Sequence, residues 1–281
     1  MASATLMKRL IRERPHLREP LQWYRRVSAM WDEAEPDDLR AVLVPADDRP
    51  LRLARGLPLL DPPRFAETDL SGTARTWTGL LRVMATRNRG LAQAAAALST
   101  AFGSGESCAR TLAQILGRRI DPPLPEGVPA DFVGYVLRLA LRPSLIALLP
   151  PLHEVFSERA WNRATCPLCG FPPGLAEEMD RDRRLYCSFC PADWVFTPRG
   201  CALCGHTAEQ HLACSIEDVE PGYHVAICTR CTGYLKTVHR HEVGREIDPP
   251  LEDLLTVPLD HVAQQEGYRP SAAFIQPAAP A

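Results

Sequence analysis

The chain has 281 residues, 46% of them apolar and 23% charged, so it can bury a core and is too apolar to be disordered throughout. Its 32 Lys and Arg against 34 Asp and Glu leave a net charge of −2, which argues against a basic protein that coats nucleic acid. Residues 1–20 mix charges with single apolar residues and show no apolar export segment. The most apolar stretch, Phe132 to Leu152, carries Arg138, Arg142 and Pro143. Neither an export signal nor a membrane span is expected, and the ten cysteines are expected in a reducing cytoplasm.

In chain order, apolar positions recur every three to four residues in Leu21 to Trp31, Trp77 to Met84, Leu91 to Phe102, Cys108 to Leu116 and Val133 to Leu149, which predicts a helical bundle. Asp37-Asp38 and Ser104 offer helix starts, and the proline-rich runs Pro58 to Pro63 and Asp121 to Pro129 separate helices. From Cys166 onward the helical period gives way to short strand-like runs, Arg184 to Tyr186, Trp194 to Phe196 and Tyr223 to Ile227, each beside a cysteine pair. The mixed-charge arm with Glu177, Glu178, Asp180, Arg181, Asp182, Arg183 and Arg184 reads as a solvated hairpin face. Pro249 to Gly267 returns to helical spacing, with Pro258 suited to a first turn and Gly267 to a stop; Ser271 to Ala281 reads as a loose tail.

Nine of the ten cysteines lie between Cys166 and Cys231, and eight of them form four Cys-x-x-Cys pairs: Cys166/Cys169, Cys187/Cys190, Cys201/Cys204 and Cys228/Cys231. Two residues between thiolates let a tight turn aim both sulfurs at one cation, and two such knuckles complete a tetrahedral four-sulfur site. The first and third knuckles are followed by Gly170 and Gly205 and the other two are not, which reads as a duplicated unit. It favours one site from Cys166, Cys169, Cys187 and Cys190 and another from Cys201, Cys204, Cys228 and Cys231, with a cross-braced pairing as the alternative.

Buried or disulfide-bonded cysteines without metal are the competing reading, disfavoured because so small a segment has little core and a structural ion supplies roughly 10 to 16 kcal/mol of coupled folding energy. Closed four-sulfur sites leave no open position for water, so hydrolytic metal catalysis is not expected, and no nucleophile–base pair, phosphate loop or paired-carboxylate motif suggests an enzyme. Four thiolates accept zinc and iron alike. The first knuckle also has the form of a redox dithiol, but lacks a thioredoxin-like context. Cys108 lies on an apolar helix stripe as a core residue; Cys214, His206, His211 and His224 lie near the second site without a needed ligand role. Residues 151–281 hold 11 Lys and Arg against 18 Asp and Glu, too acidic for a zinc ribbon that binds nucleic acid.

The fold class expected is therefore α+β: a helical domain over 1–160, a first zinc-ribbon metal module over 161–199, a second over 200–245, and a short C-terminal helix and tail over 246–281. This arrangement resembles the formate dehydrogenase accessory protein (FdhE) family. The resemblance runs through Cys166-Pro-Leu-Cys-Gly170, Arg184-Leu-Tyr-Cys-Ser-Phe-Cys190, Trp194 with Arg199, Cys201-Ala-Leu-Cys-Gly205, Cys228-Thr-Arg-Cys-Thr-Gly-Tyr-Leu-Lys-Thr237, Leu255 to Asp260 and Glu266 to Arg269, about residues 160–270. Arg199 stands five residues after Trp194, one more than the family spacing. The resemblance implies a cytoplasmic, non-enzymatic maturation factor with two rubredoxin-like modules holding two iron ions, zinc being the alternative occupant. It implies binding to the formate dehydrogenase catalytic subunit, without which that enzyme does not become active. A rubredoxin-like electron carrier acting in cofactor insertion is the alternative function. The loop Thr232 to Thr237 would face the client, with Tyr234 and Lys236 as candidate contact residues; Lys236 is one of only two lysines in the chain.

Overall fold

A computed structural model describes residues 4–152, 156, 161–178, 183–196, 200–206, 213–214 and 222–271. The chain forms two compact units. One comprises Arg26–Arg49 and Leu59–Leu152; the other comprises Met1–Arg25, Pro50–Pro58 and His153–Ala281. The first 25 residues thus belong with the cysteine-rich half of the sequence, whereas composition alone assigns them to the helical half.

Among the described residues, the helices before Cys166 include α1 (Ala4–Glu13), α2 (Arg18–Glu33), α3 (Arg49–Ala54), α4 (Ser71–Ala85), α5 (Arg89–Phe102), α6 (Gly105–Leu116) and α7 (Ala130–Leu148). The five expected from periodicity are present; α1 and α3 were not legible, being charge-rich or only six residues long. In the helical unit Trp77 of α4 packs against Phe102 of α5 with ring centroids 4.5 Å apart, and Cys108 is fully buried on α6. Asp37, expected to start a helix, instead caps one 35 residues away: its carboxylate accepts from the Gly72 and Thr73 amides at 2.6 and 2.9 Å, filling orphan donors at the start of α4. Asn88 caps α5 through the Leu91 amide at 2.8 Å. Helix α7 runs through Pro143, which has no N–H to give to the Leu139 carbonyl one turn earlier. The Trp31 indole donates to that carbonyl at 2.9 Å, so the proline stays inside a continuous buried helix.

The other unit is built on one sheet. Its strands are β1 (Pro173–Glu178), β2 (Arg183–Cys187), β3 (Asp193–Phe196), β4 (Ala213–Cys214), β5 (Tyr223–Cys228), β6 (Gly233–His239) and β7 (Arg269–Pro270), in the order β3-β2-β1-β6-β5-β4 with β7 also on β6. The first three form one antiparallel module and β4 to β6 another. The modules are joined by the parallel pairing of β1 with β6, Leu175 opposite Lys236 through Glu178 opposite His239. Helices α8 (Arg240–Val243), α9 (Pro249–Leu255) and α10 (Val257–Gln265) follow. The single C-terminal helix expected is divided at Thr256, because Pro258 at the start of α10 lacks the donor that continuation of α9 would require. Leu259 and Ala263 of α10 close a core with Leu175, Tyr223, Val225, Ile227, Tyr234 and Val238 of the sheet. Tyr24 of α2 donates to Asp248 at 2.6 Å and Arg14 to the Leu255 carbonyl at 3.4 Å, tying the N-terminal residues to this unit.

The charged arm departs from the solvated face expected of it. Glu177 is fully buried, held by Tyr186 and Arg240. Alternation along β1 turns Glu177 inward and Glu178 to the other face. Asp180, Arg181, Asp182, Arg199, His211 and residues 272–281 lie outside the described residues, as does the side chain of Cys214. Among the described residues no helix is long and apolar enough to cross a membrane.

Candidate metal centres

The four knuckles meet in sequential order. Cys166, Cys169, Cys187 and Cys190 form one cluster and Cys201, Cys204, Cys228 and Cys231 another, the sulfurs of each lying within 4.8 Å of one another. In the first, the Sγ separations are 3.5 Å for Cys166–Cys190, 3.4 Å for Cys169–Cys187 and 3.5 Å for Cys169–Cys190. In the second they are 3.8 Å for Cys201–Cys231 and 3.9 Å for Cys204–Cys228. Disulfide sulfurs would lie about 2.05 Å apart, so no pair is bonded. Four sulfurs around one tetrahedral ion at about 2.3 Å stand about 3.8 Å from one another. The second cluster has that edge and the first is contracted by a few tenths of an ångström, so both donor sets fit a thiophilic ion; closing both with four thiolates leaves no coordination position for water.

Local backbone geometry explains the convergence. In the first knuckle the Gly170 amide donates to the Cys166 carbonyl at 2.9 Å and the Cys166 amide to the Phe171 carbonyl at 2.8 Å. The third repeats both bonds, Gly205 to Cys201 at 2.9 Å and Cys201 to His206 at 3.0 Å. The turns require a left-handed residue after the second cysteine, φ +80° at Gly170 and +69° at Gly205, which is why glycine follows those knuckles. The fourth knuckle uses the same backbone state with a non-glycine, Thr232 at φ +53°. Amides then point at sulfur: Phe189 and Cys190 donate to Cys187 at 3.3 and 3.4 Å, and Leu203 to Cys201 at 3.3 Å.

As free thiols the cysteines titrate apart. Burial pushes Cys166, Cys169 and Cys190 upward. At Cys187 the same burial is outweighed by hydrogen bonds from the three other thiols and the Phe189 amide, which hold it well below the ordinary thiol range. In the second cluster burial raises Cys201, and pushes Cys231 up to about 11, whereas the Cys231 and Arg230 amides overcome burial and lower Cys228 to about 7. Each cluster thus sets one thiol that ionises readily, Cys187 or Cys228, beside thiols that burial holds toward the protonated form, and an ion that enters must displace their protons. Because binding releases protons from the raised thiols, a falling pH favours the metal-free form, and affinity for a metal should fall by on the order of tenfold or more per pH unit between pH 8 and 6. Competition with a chelator across that range measures it, and a flat profile would contradict it.

The remaining sequence candidates are placed as follows. Tyr234 and Lys236, offered above as partner contacts, are both buried rather than presented to a client, because alternating residues of β6 meet α9 and α10. Lys236 Nζ lies 2.6 Å from Asp253 and 2.8 Å from Asp260, and Tyr234 donates to Asp260 at 2.8 Å. Coulombic attraction from both aspartates overcomes the burial that would depress Lys236 and keeps its pKa raised, so the ammonium stays charged inside the fold. Their family-like signature thus marks a structural network. His206 Nδ1 lies 2.7 Å from the Arg230 guanidinium. Sequence reasoning read Glu178 as part of a solvated face and did not single out His239, yet both meet His224 on one face of the sheet. Register between strands, not sequence spacing, brings them together.

No family model matches the chain. It is 29% identical over 150 residues to an FdhE homologue of Aquifex aeolicus, covering 52% of each protein. It is 30% identical over 175 residues to an FdhE homologue of Stutzerimonas stutzeri, covering 60% of this chain and 54% of that one. The match to the Glaesserella parasuis homologue is 28% over 120 residues, covering 41% of this chain and 39% of that one. The chain thus spans about half the length of the curated relatives it matches most extensively. The crystal structure of the FdhE protein from Pseudomonas aeruginosa superposes with a TM-score of 0.64 over 94% of this chain and 90% of that one, at 22% identity, so the fold is shared along nearly the whole length. In sequence over about half its length and in fold along most of it, the chain is similar to FdhE proteins.

Proposed function

We propose that the protein is a non-catalytic maturation factor that binds the formate dehydrogenase catalytic subunit and is needed for that enzyme's activity. The observation that carries this reading is the pair of four-cysteine clusters on an FdhE-like fold. In this reading Cys166, Cys169, Cys187 and Cys190 hold one ion and Cys201, Cys204, Cys228 and Cys231 a second, iron in the rubredoxin manner or zinc in its place. The ions fix the knuckles, and the exterior of a rigid sheet recognises an immature client in the cytoplasm. The modules at 161–199 and 200–245 then act as one recognition body, since β1 and β6 join them in a single sheet.

The affinity-tagged chain, expressed with a formate dehydrogenase from the same cell, should co-purify with its catalytic subunit, and deletion of the chain should remove formate oxidation. Failure of both sinks the proposal. Rubredoxin-like electron transfer remains the second reading, favoured by the amide donors to Cys187 and Cys201, which tune the potential of a bound iron. Anaerobically purified protein that contains only zinc and shows no reversible visible absorption would eliminate it.

A further inference from the structure

On the face of the sheet opposite buried Glu177, three metal-ligating side chains converge from three strands. Glu178 stands at the end of β1 beside His239 at the end of β6, and His224 of β5 lies diagonally across from His239. Glu178 Oε2 is 3.6 Å from His239 Nε2 and 3.8 Å from His224 Nε2. The two imidazoles lie nearly parallel, centroids 4.7 Å apart and planes inclined by 27°, and all three ligand atoms fall within 4.8 Å of one another.

These separations are too long for hydrogen bonds between the carboxylate and either ring. They match three ligands about one ion: with bonds of about 2.1 Å, ligand atoms at the tetrahedral angle stand about 3.4 Å apart. The two carboxylate–imidazole separations are already near that value, whereas the stacked rings must turn about their Cβ–Cγ bonds for both lone pairs to meet at one ion. The carboxylate is held from behind, because Arg183 donates to Glu178 Oε1 at 3.1 Å and leaves Oε2 turned to the histidines. Arg183 also opposes a cation, so the site should bind more weakly than the sulfur clusters. The triad is partly open to water, with His224 the least exposed side chain at 17% and His239 the most at 37%.

We propose that Glu178, His224 and His239 form a third metal site, distinct from both cysteine clusters, that takes a divalent transition ion of borderline softness such as zinc or ferrous iron. Two imidazoles and one carboxylate suit such ions, whereas the sulfur clusters suit thiophilic ones. Three protein ligands on a half-exposed face leave coordination positions for water or for a donor atom of a docked partner. The chain would then carry two closed ions that stabilise it and one exchangeable ion.

The test uses the full chain with its cysteine clusters already filled with zinc, and Co²⁺ as the probe. The wild type should take up one further equivalent with weak visible bands and without thiolate charge-transfer absorption. His239→Ala and Glu178→Gln should each weaken that uptake by about tenfold or more while leaving the zinc content unchanged. Wild-type protein that takes up no further cobalt, or variants that bind it as the wild type does, would overturn the proposal. A second measurement needs no variant: saturating Co²⁺ should protect His224 and His239, but not exposed His16 or His261, from carbethoxylation, and equal labelling with and without the ion would also overturn it. Because the labelling readout reports the histidines alone, it stands or falls independently of which metal, if any, the cysteines hold.

Discussion

Cys166→Ser is expected to empty the first cluster and destabilise the protein by several kcal/mol, above ~4, while the second cluster keeps its ion. Cys166 is fully buried and its amide closes the knuckle turn, so a serine there leaves three thiolates around an under-coordinated ion and a hydroxyl without solvent. Cys204→Ser empties the second cluster by the same loss of a ligand, but its position is exposed, so the hydroxyl is hydrated and the destabilisation should be smaller. Metal content per chain with denaturant unfolding at fixed pH separates the two. Equal metal content in Cys166→Ser and the wild type, or the reverse ranking of the two variants, would count against the four-sulfur assignment. The comparison also bears on how the clusters are joined: if the shared sheet couples them, loss of the first ion should lower the unfolding midpoint of the second module as well.

Arg245→Met should destabilise by about 3 to 5 kcal/mol, because it leaves a buried carboxylate without its charge partner. Glu252 is fully buried at the start of α9, where Arg245 grips both carboxylate oxygens, Tyr223 donates to Oε2 at 2.7 Å and the Asp248 amide donates to Oε1 at 3.2 Å. Arg245 also donates to the Tyr223 hydroxyl at 2.9 Å, so β5, the loop after α8 and α9 share one polar network. The double variant Arg245→Met with Glu252→Leu should recover much of the loss, since an apolar pair of similar volume removes both desolvated charges. Urea unfolding of the wild type, both single variants and the double variant completes the cycle. An additive double variant would mean that the two charges do not act as a pair.

Much of the molecule was legible because its signals are local. Two residues between thiols suffice to mark a knuckle, the glycine after it answers a left-handed turn at Gly170 and Gly205, and apolar repeats announced helices α2, α4, α5, α6 and α7. Helix α1 escaped because its apolar stripe is interleaved with arginines, and β1 because it opens on a proline and ends in two glutamates that looked solvated. Lys236, offered as a contact on the strength of the signature after the last knuckle, lies inside the fold, where aspartates from α9 and α10 meet it.

Residues a few positions apart were enough to mark four cysteine knuckles, to favour their sequential grouping, to place five helices before them and to show a resemblance to FdhE proteins. The tertiary structure decided everything that rests on residues brought together from afar. The parallel joining of β1 to β6 merges two modules into one sheet, Asp37 caps a helix 35 residues away, Trp31 serves the carbonyl that Pro143 leaves open, and Glu178 faces His224 and His239. Strand register and chain crossing set these meetings, and neither is written in the spacing of a single segment.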